Sequence, residues 1–337
     1  MKRRGLLVAG GAWLVAAASR SFAQAPKAPR RIAYLHPGTE AGGSAMFEVF
    51  RIELKKLGYL EGRDISIETY WAEGKLERLA SLAAEAVARN PAVIVTSSSA
   101  GVAACKNATS SIPVVFSTAA IPVEQGFVSS LRHPGGNITG VTLHLGVEAK
   151  SVEIIREALP AAQRLGLLIH ESDPIHKFML EAMEPAARRF NLQLVVVRVT
   201  RVEDIERAFT ELVARKIDAL SVPTLTFLVN NRKQIIERAR SAHLPLFGSH
   251  QQWADDGGLL FYGTRQEENF RRTAALVDKI LRGAKPGDLP VEQPERFELV
   301  VNMKTAKAIG VNLKNWVRPS SHATYRKPCC ARPWRHV

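Results

Sequence analysis

Short apolar runs alternate with amphipathic stretches along most of the chain. Ten runs rich in β-branched or aliphatic residues predict strands at 31–35, 65–70, 92–96, 113–116, 137–143, 164–169, 192–199, 219–223, 245–247 and 258–262. Helical periodicity lies between most of them, at 44–58, 75–89, 99–108, 148–158, 175–190, 202–215, 229–242 and 266–282. Apolar strands separated by helices are typical of parallel sheets covered on both faces. The pattern therefore predicts an α/β protein, and ten strands favour two sheets of five over one sheet or an eightfold barrel.

The length and the charge distribution narrow the class further. A chain of 337 residues corresponds to about two compact domains, at roughly 150 residues each. The net charge is +14, but ten of the 46 basic residues lie in the first 23 and last 24 positions, where no acidic residue occurs. The body between these ends is close to neutral. It therefore lacks the basic face that binding to nucleic acid requires.

The N-terminus has the pattern of an export signal. Lys2, Arg3 and Arg4 precede an apolar run at 5–18, and Ser21 and Ala23 supply the small residues of a cleavage site. The run is short for a membrane span of about 20 residues, and no other run of 18 apolar residues occurs. We therefore expect a signal peptide at 1–23 and a soluble mature protein in the periplasm, not an integral membrane protein. The export route, general secretory or twin-arginine, stays open.

Cysteine usage agrees with an exported protein that needs no disulfide framework. Only Cys105, Cys329 and Cys330 occur, and none lies near residue 24 to carry a lipid anchor. No second pair or histidine cluster stands at ligand spacing from Cys329 and Cys330, so we expect no metal site. Residues 313–337 have no helical period and read as an atypical, disordered basic tail.

Polar side chains follow six of the predicted strands, at the point where each strand ends. In open parallel sheets, ligands bind beyond the carboxyl ends of the strands, where helix N-termini present free N–H groups. The candidate ligand-binding residues at these places are His36, Thr39, Ser98, Ser99, Thr118, His170, Asp173, Thr224 and His250. The alternative for each serine and threonine is that it caps the following helix. Together they predict a site for a compact polar ligand, with the helix start at Ser99 favouring an anion and Asp173 placed to meet a cation.

Signatures of catalysis and of cofactor binding are largely missing. The chain has no Gly-x-Gly-x-x-Gly, phosphate-loop, His-Glu-x-x-His or Gly-x-Ser-x-Gly motif, and we expect no cofactor. Ser98, His250 and Asp173 can be drawn as a serine–histidine–acid arrangement, so an exported hydrolase is the alternative to a binding protein. A hydrolase predicts turnover of esters or amides that is lost in Ser98→Ala. A ligand-sensing regulatory domain, the third possibility, predicts a fused or adjacent signalling domain.

Five motifs in register carry a resemblance to a known family. They are Gly-Tyr-Leu-Glu-Gly-Arg at 58–63, Tyr-Trp-Ala-Glu-Gly at 70–74, Pro-Gly-Gly-Asn-Ile-Thr-Gly at 134–140, Gly-Gly-Leu-Leu-Phe-Tyr-Gly at 257–263 and Phe-Glu-Leu-Val-Val-Asn at 297–302. This series resembles the bacterial ABC transporter substrate-binding proteins, a family that includes tryptophan- and tyrosine-binding members. The similarity runs from about residue 31 to 310. Within the motifs, Gly135 and Gly136 suit positive φ, and Trp71 is expected to pack between helix and sheet.

The resemblance implies a periplasmic-binding-protein fold of type I, with two Rossmann-like α/β lobes, three crossovers and a ligand cleft between the lobes. It implies an N-terminal lobe of 31–143 plus about 263–290 and a C-terminal lobe of 144–262 plus about 291–312. It also implies an importer with permease and ATPase partners, a small solute as ligand, and no catalysis. The solute class that we expect is a carboxylate, aromatic or amino-acid-like.

One departure from the family bears on the ligand. Amino-acid-binding members carry Pro-Thr-Asp-Asn after the strand at 219–223, whereas this chain has Pro223, Thr224, Leu225 and Thr226. The acid that could pair with an ammonium group is therefore absent. Leu225 either packs against a ligand without an amine or is a core leucine under the loop.

Overall fold

The computed structural model describes residues 28–143, 146–171, 173, 175–294, 296–313 and 324–330; the expected signal peptide at 1–23 lies outside them. The strands are β1 Arg30–His36, β2 Ile65–Trp71, β3 Val93–Thr96, β4 Val114–Ala119, β5 Ile138–Thr142, β6 Arg164–His170, β7 Gln193–Val199, β8 Ala219–Val222, β9 Leu246–Gly248, β10 Leu260–Thr264, β11 Arg296–Asn302 and β12 Thr324–Cys330. The helices are α1 Glu40–Lys56, α2 Leu79–Ala88, α3 Ser98–Ala108, α4 Gly146–Ala158, α5 His176–Arg189, α6 Asp204–Ala214, α7 Thr226–Asn230, α8 Arg232–Ser241, α9 Gln251–Asp255, α10 Gln266–Leu281 and α11 Met303–Ala308. Within this part of the chain, no helix is both long enough and apolar enough to span a bilayer.

The first sheet is entirely parallel and has the order β2-β1-β3-β4-β5. Its central strand β3 is fully buried because apolar residues face both sides, as the continuous apolar runs predict. One face packs against α1 and α10, around Tyr34, Phe50 and Val277. The other face packs against α2 and α3, around Leu79 and Val102.

The second sheet has seven strands in the order β12-β11-β10-β9-β8-β6-β7. Strands β6 to β10 are parallel to one another. Strand β11 pairs antiparallel with β10, and β12 pairs antiparallel with β11. Two buried clusters cover its faces, one around Ile155 and Leu167 and the other around Ile205 and Leu220. The α/β class with two largely parallel sheets is therefore confirmed.

The ten predicted strands are all present, but the expected division into two sheets of five is wrong. Strand β11 coincides with the 297–302 motif, which the hydrophobic pattern alone did not assign to a strand. The expectation of a tail without regular structure is wrong for residues 324–330, whose backbone pairs with β11 along its full length. An edge strand offers a row of unpaired N–H and C=O groups, and such backbone pairing makes little demand on sequence.

The chain crosses between the two sheets three times. As a result, α10 packs on the first sheet although it follows β10 of the second sheet in sequence. After β5 the chain enters the second sheet, and after β10 it returns, so that α10 packs against α1, β4 and β5. A last crossing follows, in which Val141 pairs with Glu292 and the N–H of Val291 donates to the carbonyl of Leu131. This path leaves the carboxyl ends of both sheets facing a shared cavity.

Two sequence expectations about the motifs have different outcomes. Gly135 adopts a φ of 77°, but Gly136 is not among the residues with positive φ, so the expectation for Gly136 is wrong. Trp71 packs with Tyr34, His36 and Phe47 between β1 and α1, as expected, and does not line the cavity.

Candidate functional site

A cavity of about 580 Å³ lies between the loops that follow the strands of the two sheets. This volume falls in the range of small-molecule pockets, roughly 300–1,000 Å³. All nine candidate residues predicted from the sequence line it, namely His36, Thr39, Ser98, Ser99, Thr118, His170, Asp173, Thr224 and His250. The fold thus brings together residues that are up to 214 positions apart in the chain, between His36 and His250.

The N-terminus of α3 supplies the part of the cavity best suited to an anion. Ser98 has a φ of 66°, a conformation rare for residues other than glycine, and its Oγ accepts from the N–H of Gly101 at 3.2 Å. The N–H of Ser98 donates to Oγ1 of Thr118 at 3.4 Å, which leaves the Thr118 proton available for a ligand. Free N–H groups and the helix dipole at this end favour negative charge. Strained backbone of this kind is concentrated at binding sites.

His36 faces the cavity as a neutral hydrogen-bond donor. Its Nδ1 accepts from the backbone N–H of Gly38 at 3.0 Å, so the proton of the neutral ring lies on Nε2. Burial lowers the pKa of His36 to about 4. Thr39 caps α1 through a bond from the N–H of Gly42 at 3.1 Å, which agrees with the capping alternative for this residue.

His250 has the same protonation state and also links the two sheets. Its Nδ1 accepts from the N–H of Gln252 at 3.2 Å, and its side chain also bonds to Gln266 at the start of α10. Burial lowers the pKa of His250 to about 4. Because Nδ1 is the acceptor, the proton of the neutral His250 ring lies on Nε2, and Gln266 lines the cavity as well.

His170 and Asp173 form the polar part of the second half of the cavity. Nε2 of His170 donates to the carbonyl of Thr200 at 3.1 Å, and the ring lies 4.6 Å from that of Phe227, centroid to centroid. Asp173 accepts from the N–H of Ile175 at 3.2 Å. Burial raises the pKa of Asp173, whereas this bond and the nearby His170 and His176 lower it. Asp173 is the only acidic side chain among the described residues that line the cavity.

Sequence reasoning missed the cation and the apolar walls of the site. Arg232, at the start of α8, lines the cavity, and its Nε bonds to Oδ2 of Asp256 at 2.5 Å. The walls are formed by large apolar side chains: Met46, Leu76, Phe127, Phe227 and Phe270. These residues lie within helices or far from strand ends, where hydrophobic periodicity also predicts core positions.

Leu225 lies at the cavity with 2 % of its surface exposed and packs into the core of the second half. It is the residue that precedes α7, in extended conformation and without a side-chain bond to the helix. An aspartate here would be in the position to cap α7 as well as to meet a ligand. With leucine at position 225, this part of the cavity has apolar surface and no negative charge.

The side chains do not form the serine–histidine–acid arrangement. His250 bonds to Gln252 and Gln266, the Oγ of Ser98 is directed to Gly101, and Asp173 accepts from Ile175. Within the described residues, no group of three or more His, Cys, Asp or Glu side chains is placed to hold a metal ion. The chemistry of the cavity is that of hydrogen bonding and apolar contact.

The structure has two α/β lobes, and the cavity between them has polar groups at its ends and apolar walls. This is the type I periplasmic-binding-protein fold of solute-binding proteins. Residues 42–324 match the family described as ABC transporter substrate binding protein, and the chain belongs to that family. The family is one of binding proteins.

Three relatives illustrate this similarity. A tyrosine-binding protein of Clostridioides difficile (strain R20291) is 28% identical over 256 residues, which cover 76% of this chain and 74% of the relative. A crystal structure of the ABC domain from Streptococcus pneumonia in complex with L-Trp has a TM-score of 0.80 at 23% identity, covering 86% of this chain and 97% of that one. The ligand-free, open structure of a substrate-binding protein with adhesive properties from Clostridium difficile has a TM-score of 0.66 at 24% identity, covering 87% and 97%.

Proposed function

We propose that this chain is the periplasmic receptor of an ABC-type importer, which binds a small carboxylate, aromatic or amino-acid-like, and presents it to a permease coupled to an ATPase. The observation that carries the proposal is the cavity in which polar residues from the loops of both sheets meet beside apolar walls. The signal-peptide pattern at 1–23 supports export to the periplasm.

The proposed mechanism is closure of two lobes around the ligand. The N-terminal lobe comprises 31–143 plus about 263–290, and the C-terminal lobe 144–262 plus about 291–312. A ligand that contacts both lobes stabilises the closed arrangement by its higher affinity for that state. The nine polar residues named above are the proposed contacts, and permease and ATPase are the proposed partners. The L-Trp complex of the Streptococcus pneumonia protein, with the same fold, supports an aromatic solute of this size.

The polarity of the cavity suggests how a carboxylate would be held. The N-terminus of α3, the hydroxyl of Thr118 and the Nε2–H of His36 are donors on the side of the first sheet. Phe227, Phe270 and Leu225 provide apolar contact for the rest of the molecule. With leucine at position 225, Asp173 is the one acidic side chain among the described lining residues that could meet an amino group.

Calorimetry with paired ligands that differ only in the amino group tests this function. The pairs are L-phenylalanine with 3-phenylpropionate, L-tryptophan with 3-(indol-3-yl)propionate, and L-leucine with 4-methylpentanoate. We expect the amine-free member to bind more tightly, by about one to two orders of magnitude. With leucine at position 225, the ammonium group of the amino acid would lose its hydration without gaining a charge-assisted hydrogen bond, which is worth about 1.5–3 kcal/mol.

The Leu225→Asp variant is the matched control, and we expect it to reverse this preference. Sub-micromolar binding of tryptophan by the wild-type protein, weakened by removal of the amine, would show that Asp173 has taken over the role of the acid. Failure of every pair to bind would contradict the proposed function itself.

A further inference from the structure

Glu148 is a buried carboxyl group that is not among the residues lining the cavity. It is in the first turn of α4 and is 6 % exposed. Among the described residues, no lysine, arginine or histidine lies within ion-pair distance of it. A carboxylate buried without a cation is costly, so the neutral acid is favoured. Burial raises the pKa of Glu148 to about 7, and a hydrogen bond from Ser249 lowers it.

Two hydroxyl groups connect this carboxyl to the cavity. Ser249, which follows β9, hydrogen bonds to Glu148. Its Oγ lies 3.0 Å from Oγ1 of Thr224, and Thr224 lines the cavity. Because each hydroxyl has one proton, the direction of the first hydrogen bond sets the direction of the others.

The protonation state of Glu148 therefore determines which group Thr224 presents to a ligand. When the carboxyl is protonated, its O–H needs an acceptor, and Ser249 Oγ provides one; Ser249 then donates to Thr224, and Thr224 donates into the cavity. When the carboxyl is ionised, it only accepts. Ser249 then donates to Glu148, Thr224 donates to Ser249, and only lone pairs of Thr224 face the cavity.

We infer that Glu148 is a positioning residue that acts through Ser249 to make the Thr224 hydroxyl a donor toward the cavity, and so selects ligands with an oxygen acceptor, such as a carboxylate, at that point. This inference rests on the proposed function, since it concerns the ligand of the same cavity. An anionic oxygen at Thr224 in turn favours the protonated form of Glu148, so that binding is coupled to proton uptake.

The neighbouring titratable groups do not account for the state of Glu148. Helix α4 packs against α5 and β10. Helix α5 carries His176, Lys177, Glu181, Glu184, Arg188 and Arg189, strand β10 carries Tyr262, and His250 follows Ser249. Within the described part of the chain, none of these groups is among the influences on the pKa of Glu148, which are burial and the bond from Ser249.

The test is the pH dependence of binding for probes that do not titrate above pH 6. The probes are 3-phenylpropionate, 3-(indol-3-yl)propionate and 4-methylpentanoate, measured by calorimetry from pH 6 to pH 9. We expect the affinity of the wild-type protein to fall by about tenfold or more across this range, the equivalent of one charge-assisted hydrogen bond. In Glu148→Gln the amide N–H donates at every pH, so the affinity should be nearly constant.

Variants of the two hydroxyl groups separate positioning from a structural role. Ser249→Ala breaks the chain and should abolish the pH dependence, whereas Ser249→Thr keeps the hydroxyl and should restore it. Ser151→Ala removes a buried hydroxyl on the same helix that bonds to the carbonyl of Val147 and does not line the cavity, and its pH dependence should remain. A pH-independent wild type, or a Glu148→Gln variant with the wild-type profile, overturns the inference while the proposed function stands. A wild-type protein that binds none of the probes at any pH overturns both.

Discussion

Two histidines that line the cavity are held in the same tautomer by the same local geometry. In His36 and His250, Nδ1 accepts from the backbone N–H two residues further on, so the neutral ring carries its proton on Nε2. Burial lowers the pKa of both to about 4. The sequence predicted that these residues follow strands, but their protonation state depends on the turn after the strand and on burial. These features appear only once the chain is folded.

Glu148 makes a testable contribution to the stability of the protein. Its pKa is raised from 4.5 to about 7 in the folded protein. A raised pKa stabilises the fold below pH 4.5, where both states are protonated, and this contribution is lost as the pH rises through 7. The free energy of unfolding of the wild type should therefore decrease between pH 5 and pH 8, by on the order of 3 kcal/mol from this group. Glu148→Gln should remove this decrease, as measured by urea denaturation at both pH values.

Glu153→Gln is the control for this prediction. Glu153 lies on the same helix, but it is partly exposed and paired with Lys150 at 2.6 Å. Its replacement should leave the pH dependence of unfolding as in the wild type. If Glu148→Gln and the wild type show the same change between pH 5 and pH 8, the buried carboxyl does not titrate in this range.

The candidate residues that sequence reasoning found and those that it missed differ in where they lie. Ser98, Thr118 and Thr224 follow strands, and in a parallel sheet the ends of strands converge on one edge, so their meeting in one cavity could be predicted. Glu148 and Arg232 lie in the first turns of helices. Acidic and basic residues at such positions are usually solvated, and only the packing of α4 against the second sheet shows that Glu148 is buried.

At the level of elements, hydrophobic pattern predicted the parallel strands and missed the antiparallel ones. Apart from the edge strands β2 and β7, the strands from β1 to β10 are buried along most of their length, which gives the continuous apolar runs that the pattern detects. Strand β11 does not show a continuous buried run, because exposed, buried and partly exposed residues alternate near its start. Strand β12 is defined by backbone pairing with β11. Likewise, the single helix predicted at 229–242 is divided into α7 and α8 at Asn231, which the periodicity does not resolve.

The close approach of β4 and β5 depends on a glycine. A Cβ added to Gly140 would lie 2.2 Å from the carbonyl oxygen of Phe116 and 2.5 Å from its ring. Gly140→Ala should therefore separate the two strands and lower the free energy of unfolding by about 1–3 kcal/mol or more, as for other overpacked positions. Gly136→Ala is the matched control in the same motif, because no atom lies within 4 Å of a Cβ there and φ is not positive. Equal stability of the two variants in thermal or urea unfolding would contradict this account of the strand pair.

At the level of the whole molecule, the two halves are also in contact through apolar residues of the first half that are buried in the core of the second. Ala120 and Ile121, in the connection after β4 of the first sheet, are buried in the core cluster around β8 and α6 of the second. Ile121 has a φ of 41°, which is unusual for a β-branched residue. This conformation is maintained although it is strained, which indicates that the contact between the halves compensates for it.

The proposed closure of the two lobes predicts that ligand binding makes the protein more compact and that the contacts between the lobes influence the affinity. Small-angle scattering of the wild type should show a smaller radius of gyration with saturating 3-phenylpropionate than without it, because a ligand in contact with both lobes stabilises the closed state. Ile121→Ala removes a side chain that packs across the halves, so the ligand-free protein should be more open and the affinity lower by about tenfold or more. Val128→Ala, within the core of the first sheet alone, should reduce the free energy of unfolding but leave both the radius and the affinity unchanged. Binding detected by calorimetry without compaction in the wild type would mean that one lobe holds the ligand by itself, and a wild-type radius in Ile121→Ala would show that this contact does not control closure.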